Sequence, residues 1–306
     1  MRHLPSARQT VVIVLILALG LVATASARPL RLFVIGNSFS KNATQYLPDL
    51  AAGGGHELII GRAQAGGCSL ERHWNAVAAW QADPADPAGR IYGGKSLAKH
   101  LGASGWDVIT IQQYSLHSPN PATYRPFAAN LHAHLRKVQP AAEILIHQTW
   151  AYRVDAARFG QIGPGRQAAN QREMWEHSRA AYRTVARELG ARVIPSGDAF
   201  WRVDSDPQWG FQRDANFDPA SARFPALPPQ THSLHVGDRW NDKRELKKDT
   251  HHASPAGKYL AALVWYGVLF NESPEPLTFV PPGMPSAFTA HLRTVAWQTV
   301  QDSGSK

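Results

Sequence analysis

The 306-residue chain has a single cysteine, Cys68, so no internal disulfide is available and stability must come from a packed core. No apolar run is long enough to span a bilayer; Val11 to Ala23 falls short of the roughly 20 residues required. Basic residues outnumber acidic ones, 32 to 23, for a net charge of +9. Apart from Lys243-Arg244 and Lys247-Lys248 they are scattered, which leaves no nucleic-acid footprint. Internal repeats and low-complexity tracts are absent. So is a G-x-S-x-G elbow, which argues against an α/β-hydrolase lipase.

What is present begins with an export pattern. Arg2, His3 and Arg8 precede the apolar run, and Ala25-Ser26-Ala27 supplies small residues at cleavage spacing. Residues 1–27 therefore read as a signal peptide, and the protein as periplasmic or secreted. No cysteine follows the cleavage site, which speaks against a lipid anchor, and no stable membrane insertion is expected after cleavage. Cleavage removes two arginines and no acid, leaving +7. Residues 28–306 are expected to form one domain, with 44% apolar and 18% charged residues over the whole chain, as in ordinary globular proteins.

Five Val/Ile/Leu-rich runs read as strands: Leu32–Ile35, Glu57–Gly61, Asp107–Gln112, Glu143–Gln148 and Ala191–Pro195. Most lack clean alternation, as in a sheet buried on both faces. Helical patterns lie between them. Phe127, Leu131, Leu135 and Val138 share one face, as do Met174, Ala181, Val185 and Leu189 on a helix read from about Arg166. Alternating strands and helices imply right-handed crossovers and a parallel sheet, hence an α/β, doubly wound, three-layer α/β/α domain. Trp80–Gly94 reads as a loop. Residues 204–248, rich in proline and aromatics, read as an insertion serving as a lid or wall. Ser254-Pro255 starts the last strong element, a helix whose continuation, AALVWYGVLF, is apolar almost all round and so should be buried.

The chemistry gathers at strand ends. In RLFVIGNSFS (Arg31–Ser40) a short strand breaks at Gly36-Asn37 and Ser38 follows at the corner, a position that can expose a nucleophile. Before the last helix lies Asp249-Thr250-His251-His252. An acid three residues ahead of an imidazole can hold its tautomer if the segment forms one helical turn. The other strands lead to Gly66-Gly67-Cys68-Ser69, Gln112-Gln113-Tyr114-Ser115 and His147-Gln148-Thr149-Trp150. In a parallel sheet these ends share one edge. A nucleophile, backbone donors, an amide and an Asp/His pair meeting there are what acyl transfer requires.

GNSFS, GGCSL and DTHHASPAGKYLAAL resemble blocks I, II and V of the SGNH (GDSL-like) hydrolases, closest to a secreted bacterial branch. The resemblance implies a flavodoxin-like five-stranded parallel sheet and hydrolysis of esters. It makes Ser38 the nucleophile, His252 the base and Asp249 its orienting partner. The N–H groups of Ser38 and Gly67 become oxyanion donors. The family's third donor is an asparagine in a Gly-x-Asn-Asp block. Gln112-Gln113-Tyr114-Ser115 stands there instead, so Gln112, with Gln113 as the alternative, is expected to donate. Asn37 replaces the acidic residue of block I, where no reacting group is needed. His252 fits the family's DxxHxS spacing, and His251 is expected to face elsewhere. Cys68 lacks a local base and reads as core. Trp150 and Tyr152 are candidates to stack on a sugar, with Trp201 a weaker one and core packing the alternative for each.

The function expected is an exported serine esterase acting on an acyl ester, an O-acetyl group on a carbohydrate being the favoured substrate, with no cofactor and no metal. Two rivals stand beside it. One is a glycan-binding module of the same fold with impaired catalysis, motivated by the altered third block. The other is a metal-dependent hydrolase using Asp249, His251, His252, His232 and His235.

Overall fold

The computed structural model describes residues 28–102 and 105–304. The signal sequence expected at residues 1–27 lies outside them.

Strand β1 (Leu30–Gly36) alternates strictly between two cores. Leu32 and Val34 face one apolar cluster, Phe33 and Ile35 the other, and all four are fully buried. A strand with both faces covered gains nothing from polar residues, which explains its continuous apolar run. The chain then forms α1 (Ser38–Ala43) and α2 (Leu47–Gly53), and crosses to β2 (Leu58–Gln64). β2 runs three residues past its expected end, through Gly61. A Cβ at Gly61 would lie 2.4 Å from the Trp106 ring and 2.6 Å from that of Phe33, so this glycine admits two aromatic rings rather than ending the strand.

Helices α3 (Leu70–Ala82) and α4 (Leu97–Leu101) lead to β3 (Val108–Ile111), and α5 (Phe127–Val138) to β4 (Glu143–His147). A small hairpin, β5 (Gln161–Gly163) and β6 (Arg166–Gln167), precedes α6 (Gln171–Leu189). The helix read from about Arg166 therefore starts later. Asn170 caps it, its side chain accepting from the Glu173 N–H, and Arg166 belongs to the hairpin. Strand β7 (Val193–Ile194) completes the sheet, and α7 (Ser196–Asp204) follows.

The sheet order is β2-β1-β3-β4-β7, every pairing parallel. This is the flavodoxin-like order, and the fold is the α/β three-layer architecture expected. The chain leaves β1 for one side of the sheet and then resumes at β3 on the other. The crevice between the carboxyl ends of β1 and β3 is thus the switch point where such sheets keep their sites. Ser38 is the second residue after β1.

Residues 204–248 are more than a loop. Trp209 stacks on His291 at 5.0 Å and on Phe288 at 5.7 Å, both on α9 (Ser286–Gly304). Further on the segment forms β8 (His235–Trp240), antiparallel to β9 (Leu246–Ala253). The most deeply buried helix, α8 (Pro255–Phe270), starts as expected: Ser254 Oγ accepts from the Gly257 N–H at 3.2 Å and Pro255 occupies the first turn. α9, which packs on α8, has no strong sequence signature because its buried face includes Thr289, Thr299 and Ala296 beside Phe288, Leu292 and Val295. No helix among the described residues is long and apolar enough to cross a membrane.

Leu263 on α8 is fully buried in the core shared with β1. Leu263→Ala is expected to cost about 2–5 kcal/mol, read as a lowered midpoint in urea unfolding at unchanged slope.

Candidate active site

Asn37 organises the corner that carries Ser38. Its backbone is extended (φ −136°), so it caps α1 without joining it, and its Oδ1 accepts from the Phe39 N–H at 3.0 Å. That contact fixes which end of the amide is oxygen. Nδ2 must then be the atom donating to the Cys68 carbonyl at 3.1 Å, and the Gln112 amide donates into Oδ1 at 2.8 Å. One buried side chain thus ties the end of β1 to the turn after β2 and to the residue after β3. An aspartate would have no donor for the Cys68 carbonyl.

The Asp249–His252 segment is not a helical turn. It lies in β9, where residues three apart would ordinarily face opposite sides. The register breaks here: Gly237 pairs with Asp249 while His235 pairs with Ala253, so four steps of β9 oppose two of β8. This bulge turns both side chains the same way. Asp249 Oδ1 accepts from the backbone N–H of His252 at 3.0 Å, and its Oδ2 lies 2.8 Å from His252 Nδ1. His252 Nε2 lies 3.0 Å from Ser38 Oγ. An unbroken hydrogen-bond chain therefore runs from hydroxyl to imidazole to carboxylate. Partial burial acts to raise the Asp249 carboxyl, but hydrogen bonds from the His252 ring and backbone, with the two imidazoles nearby, outweigh it. The group is held far below the usual carboxylate range and stays ionised.

Three contacts hold β9 in place. The Arg153 N–H donates to the Thr250 carbonyl at 2.8 Å, and the Trp150 indole to the His251 carbonyl at 2.9 Å. Asn42, on the same short helix as Ser38, accepts the Ala253 N–H at 3.0 Å. Ser38 and the residue following His252 are thus gripped by one element. Beneath them the buried Arg153 guanidinium meets Asp155 at 2.6 and 2.8 Å, Asp238 at 3.2 Å and the Gln230 amide at 2.8 Å, and Lys248 Nζ reaches Asp155 at 2.9 Å. Two cations thus balance two carboxylates. Burial alone would raise the Asp155 carboxyl, but bonds from Arg153 and Lys248 lower it overall. Gly237 makes room: its φ is +71°, and a Cβ would fall 2.1 Å from Arg153 Nη1.

Several sequence-stated expectations need correction. Gln112 is not aimed at a reacting carbonyl; its amide bonds Asn37 and its Oε1 accepts from His147 Nδ1 at 3.0 Å. Gln113 is equally committed, its oxygen to the N–H groups of Leu70 and Tyr114 and its nitrogen to Thr123. Trp150 is fully buried, stacked on Phe200 at 4.4 Å, and Tyr152 is nearly so, with its hydroxyl bonded to Ser115, so neither offers a face to a sugar. Trp201 stacks on Trp175. His235 is buried against the Ala151 carbonyl and pushed down to about 4 by desolvation, while His232 packs on Trp209 and Phe288. Neither joins the other histidines. His251, expected to face elsewhere, has Nδ1 3.1 Å from Asp249 Oδ1. Cys68, by contrast, is the core residue expected: it is buried and its thiol is pushed up to about 12, which makes it inert.

The N–H groups of Ser38 and Gly67 make no hydrogen bond within the described residues. Asn37 links the two turns that carry them. Sequence reasoning missed Arg153, Asn42 and Gly237. Asn42 had a signal, since it lies four residues after Ser38 and so on the same helix face. Arg153, an arginine in an apolar stretch after a strand end, had a fainter one.

Gln112→Leu is expected to lower stability by about 1–3 kcal/mol, since Asn37 and His147 lose a buried partner. In a turnover assay the loss should stay below the 10²–10³-fold typical of a deleted oxyanion donor. Because the Asp249 carboxyl is depressed on folding, the stability it contributes is present above the unfolded value of about 4 and lost as pH falls through the folded one. Asp249→Asn should therefore show a smaller stability difference between pH 6 and pH 3 than the wild type, measured by urea unfolding at each pH.

Comparison with known proteins matches residues 31–215 to the family described as domain of unknown function DUF4886. A crystal structure of a DUF4886 family protein from Bacteroides uniformis is similar over 89% of this chain and 95% of its own, at 22% identity and a TM-score of 0.67. Two further structures are more distantly similar. One is a candidate SGNH hydrolase from Slackia heliotrinireducens (21% identity, 78% of this chain and 97% of its own, TM-score 0.44). The other is a candidate GDSL-like lipase from Parabacteroides merdae (12% identity, 79% and 96%, TM-score 0.44). No curated protein matches. The family match spans more than half of the chain, from the first strand to beyond α7, and the chain belongs to the DUF4886 family.

Proposed function

We propose that this protein is a serine hydrolase of acyl esters. The observation that carries the reading is the pair of distances joining Ser38 Oγ, His252 Nε2 and Nδ1, and Asp249 Oδ2, 3.0 and 2.8 Å. Asp249, ionised, accepts from Nδ1–H, which leaves the Nε2 lone pair facing the serine. Ser38 Oγ attacks the ester carbonyl carbon while its proton passes to Nε2. The carbonyl oxygen takes the electron pair and is met by the N–H groups of Ser38 and Gly67. As the tetrahedral intermediate collapses, the C–O bond to the alcohol breaks and the imidazolium returns the proton to the departing alkoxide. Water then attacks the acyl-serine by the same proton route, giving the acid and free Ser38.

The substrate reading is an O-acetyl group on a carbohydrate, met outside the cytoplasm. The N-terminal export pattern and the aromatic-bearing insertion support it, although Trp150 and Tyr152 no longer do. The intact hydrogen-bond chain favours turnover over a binding module that has lost activity. An acyl-ester panel, from acetylated glycans to long-chain esters, decides the substrate.

Ser38→Ala and His252→Ala are each expected to reduce hydrolysis of p-nitrophenyl acetate by at least about 10³-fold while remaining folded by circular dichroism. The wild-type rate should fall at acid pH, as general-base catalysis requires, and Asp249, held ionised, should add no step of its own to that fall. Full activity in either variant, or a flat acid limb, contradicts the reading.

A further inference from the structure

His251 is not used by the proton route from Ser38 to Asp249, yet it is built onto the same carboxylate. Its Nδ1 lies 3.1 Å from Asp249 Oδ1, while His252 Nδ1 lies 2.8 Å from Oδ2. The two imidazole rings are 4.0 Å apart between centroids. One ligand atom from each of Asp249, His251 and His252 lies within 4.8 Å of the other two, and all three side chains remain partly open to solvent. Two imidazoles and a carboxylate this close together, each partly open to solvent, make a three-ligand set of the kind zinc accepts at bond lengths of roughly 2.0–2.2 Å, water completing the tetrahedron. Ligands at those lengths stand about 3.3–3.5 Å apart, so the two histidine–carboxylate pairs, at 3.1 and 2.8 Å, need only a small opening.

We propose that Asp249, His251 and His252 form an inhibitory site for a divalent transition metal of the zinc class, one that switches the serine off rather than serving it. The reading of Ser38 as nucleophile underlies the inhibition, but not the binding. Without metal, the neutral His252 ring carries its proton on Nδ1, against Asp249, and keeps a lone pair on Nε2 for Ser38. A metal bonded at Nδ1 takes that nitrogen's lone pair, and the ring's one proton moves to Nε2. No electron is transferred and no proton is lost from the ring. The nitrogen facing Ser38 then becomes a donor and cannot accept the hydroxyl proton. Asp249, drawn to the cation, no longer stabilises an imidazolium. The same three residues thus offer two exclusive states: a proton relay or a metal chelate. This differs from a metallohydrolase, in which the metal would raise the rate.

Zinc chloride is titrated into purified full-length protein in competition with a chromogenic zinc chelator, and p-nitrophenyl acetate hydrolysis is followed in parallel. Wild type and Ser38→Ala are expected to bind one zinc with equal affinity. Wild-type hydrolysis should fall as the site fills and recover with EDTA. His251→Gln, checked for folding by circular dichroism, should bind at least tenfold more weakly, and the hydrolysis it retains should be insensitive to zinc concentrations that silence the wild type. Absence of one-to-one binding in wild type and Ser38→Ala, undiminished binding in folded His251→Gln, or hydrolysis that rises with zinc overturns the proposal. If no form hydrolyses any ester but zinc binds and His251→Gln weakens it, the metal site stands and the esterase reading falls. Ester hydrolysis without zinc binding gives the converse.

Discussion

The chemistry proposed for Ser38 depends on one hydrogen bond between groups 214 positions apart, His252 Nε2 to Ser38 Oγ. A bond of that kind contributes little on its own and is lost with a small displacement. It persists because both partners are held by the same surroundings. Ser38 opens a helix whose cap, Asn37, is locked to two other strand ends, and Asn42 of that helix grips the backbone beyond His252. The serine and the histidine are therefore held in register by shared neighbours.

The histidine side of the bond rests on charge buried out of sight of the solvent. Arg153 holds Asp155, Asp238 and Gln230, and its own N–H holds β9 at Thr250. A balanced buried cluster adds little net stability against apolar replacements, but removing one partner strands charge at a cost of about 3–5 kcal/mol. Here the cluster's value is positional. It pins a hairpin that belongs to no main sheet against the carboxyl end of β4, and the bulge in that hairpin turns Asp249 and His252 to a common side.

Much of this was legible in the sequence. All five strands of the main sheet, their parallel sense and the capped helix at Ser254 follow from apolar runs and capping residues, which are local signals. Ser38, Asp249 and His252 could be singled out because a strand-end serine and a DxxH pair are short patterns. Less legible was anything set by tertiary partners. The DxxH spacing suggested a helical turn, and only the pairing of β8 with β9 makes it a bulged strand. Gln112 and Gln113 sit where a donor was wanted, but their amides are consumed by Asn37 and Thr123. Trp150 read as a sugar platform because an aromatic after a strand end is ambiguous, and here its indole serves the backbone of His251 from inside the core.

The central claim is that Ser38 is activated by His252, and covalent trapping tests it most directly. Native protein treated with a fluorophosphonate, digested and mapped by mass spectrometry is predicted to carry one adduct, on Ser38, and His252→Ala is predicted to carry almost none. An adduct on another residue, or equal labelling of Ser38 without the imidazole, would contradict the account.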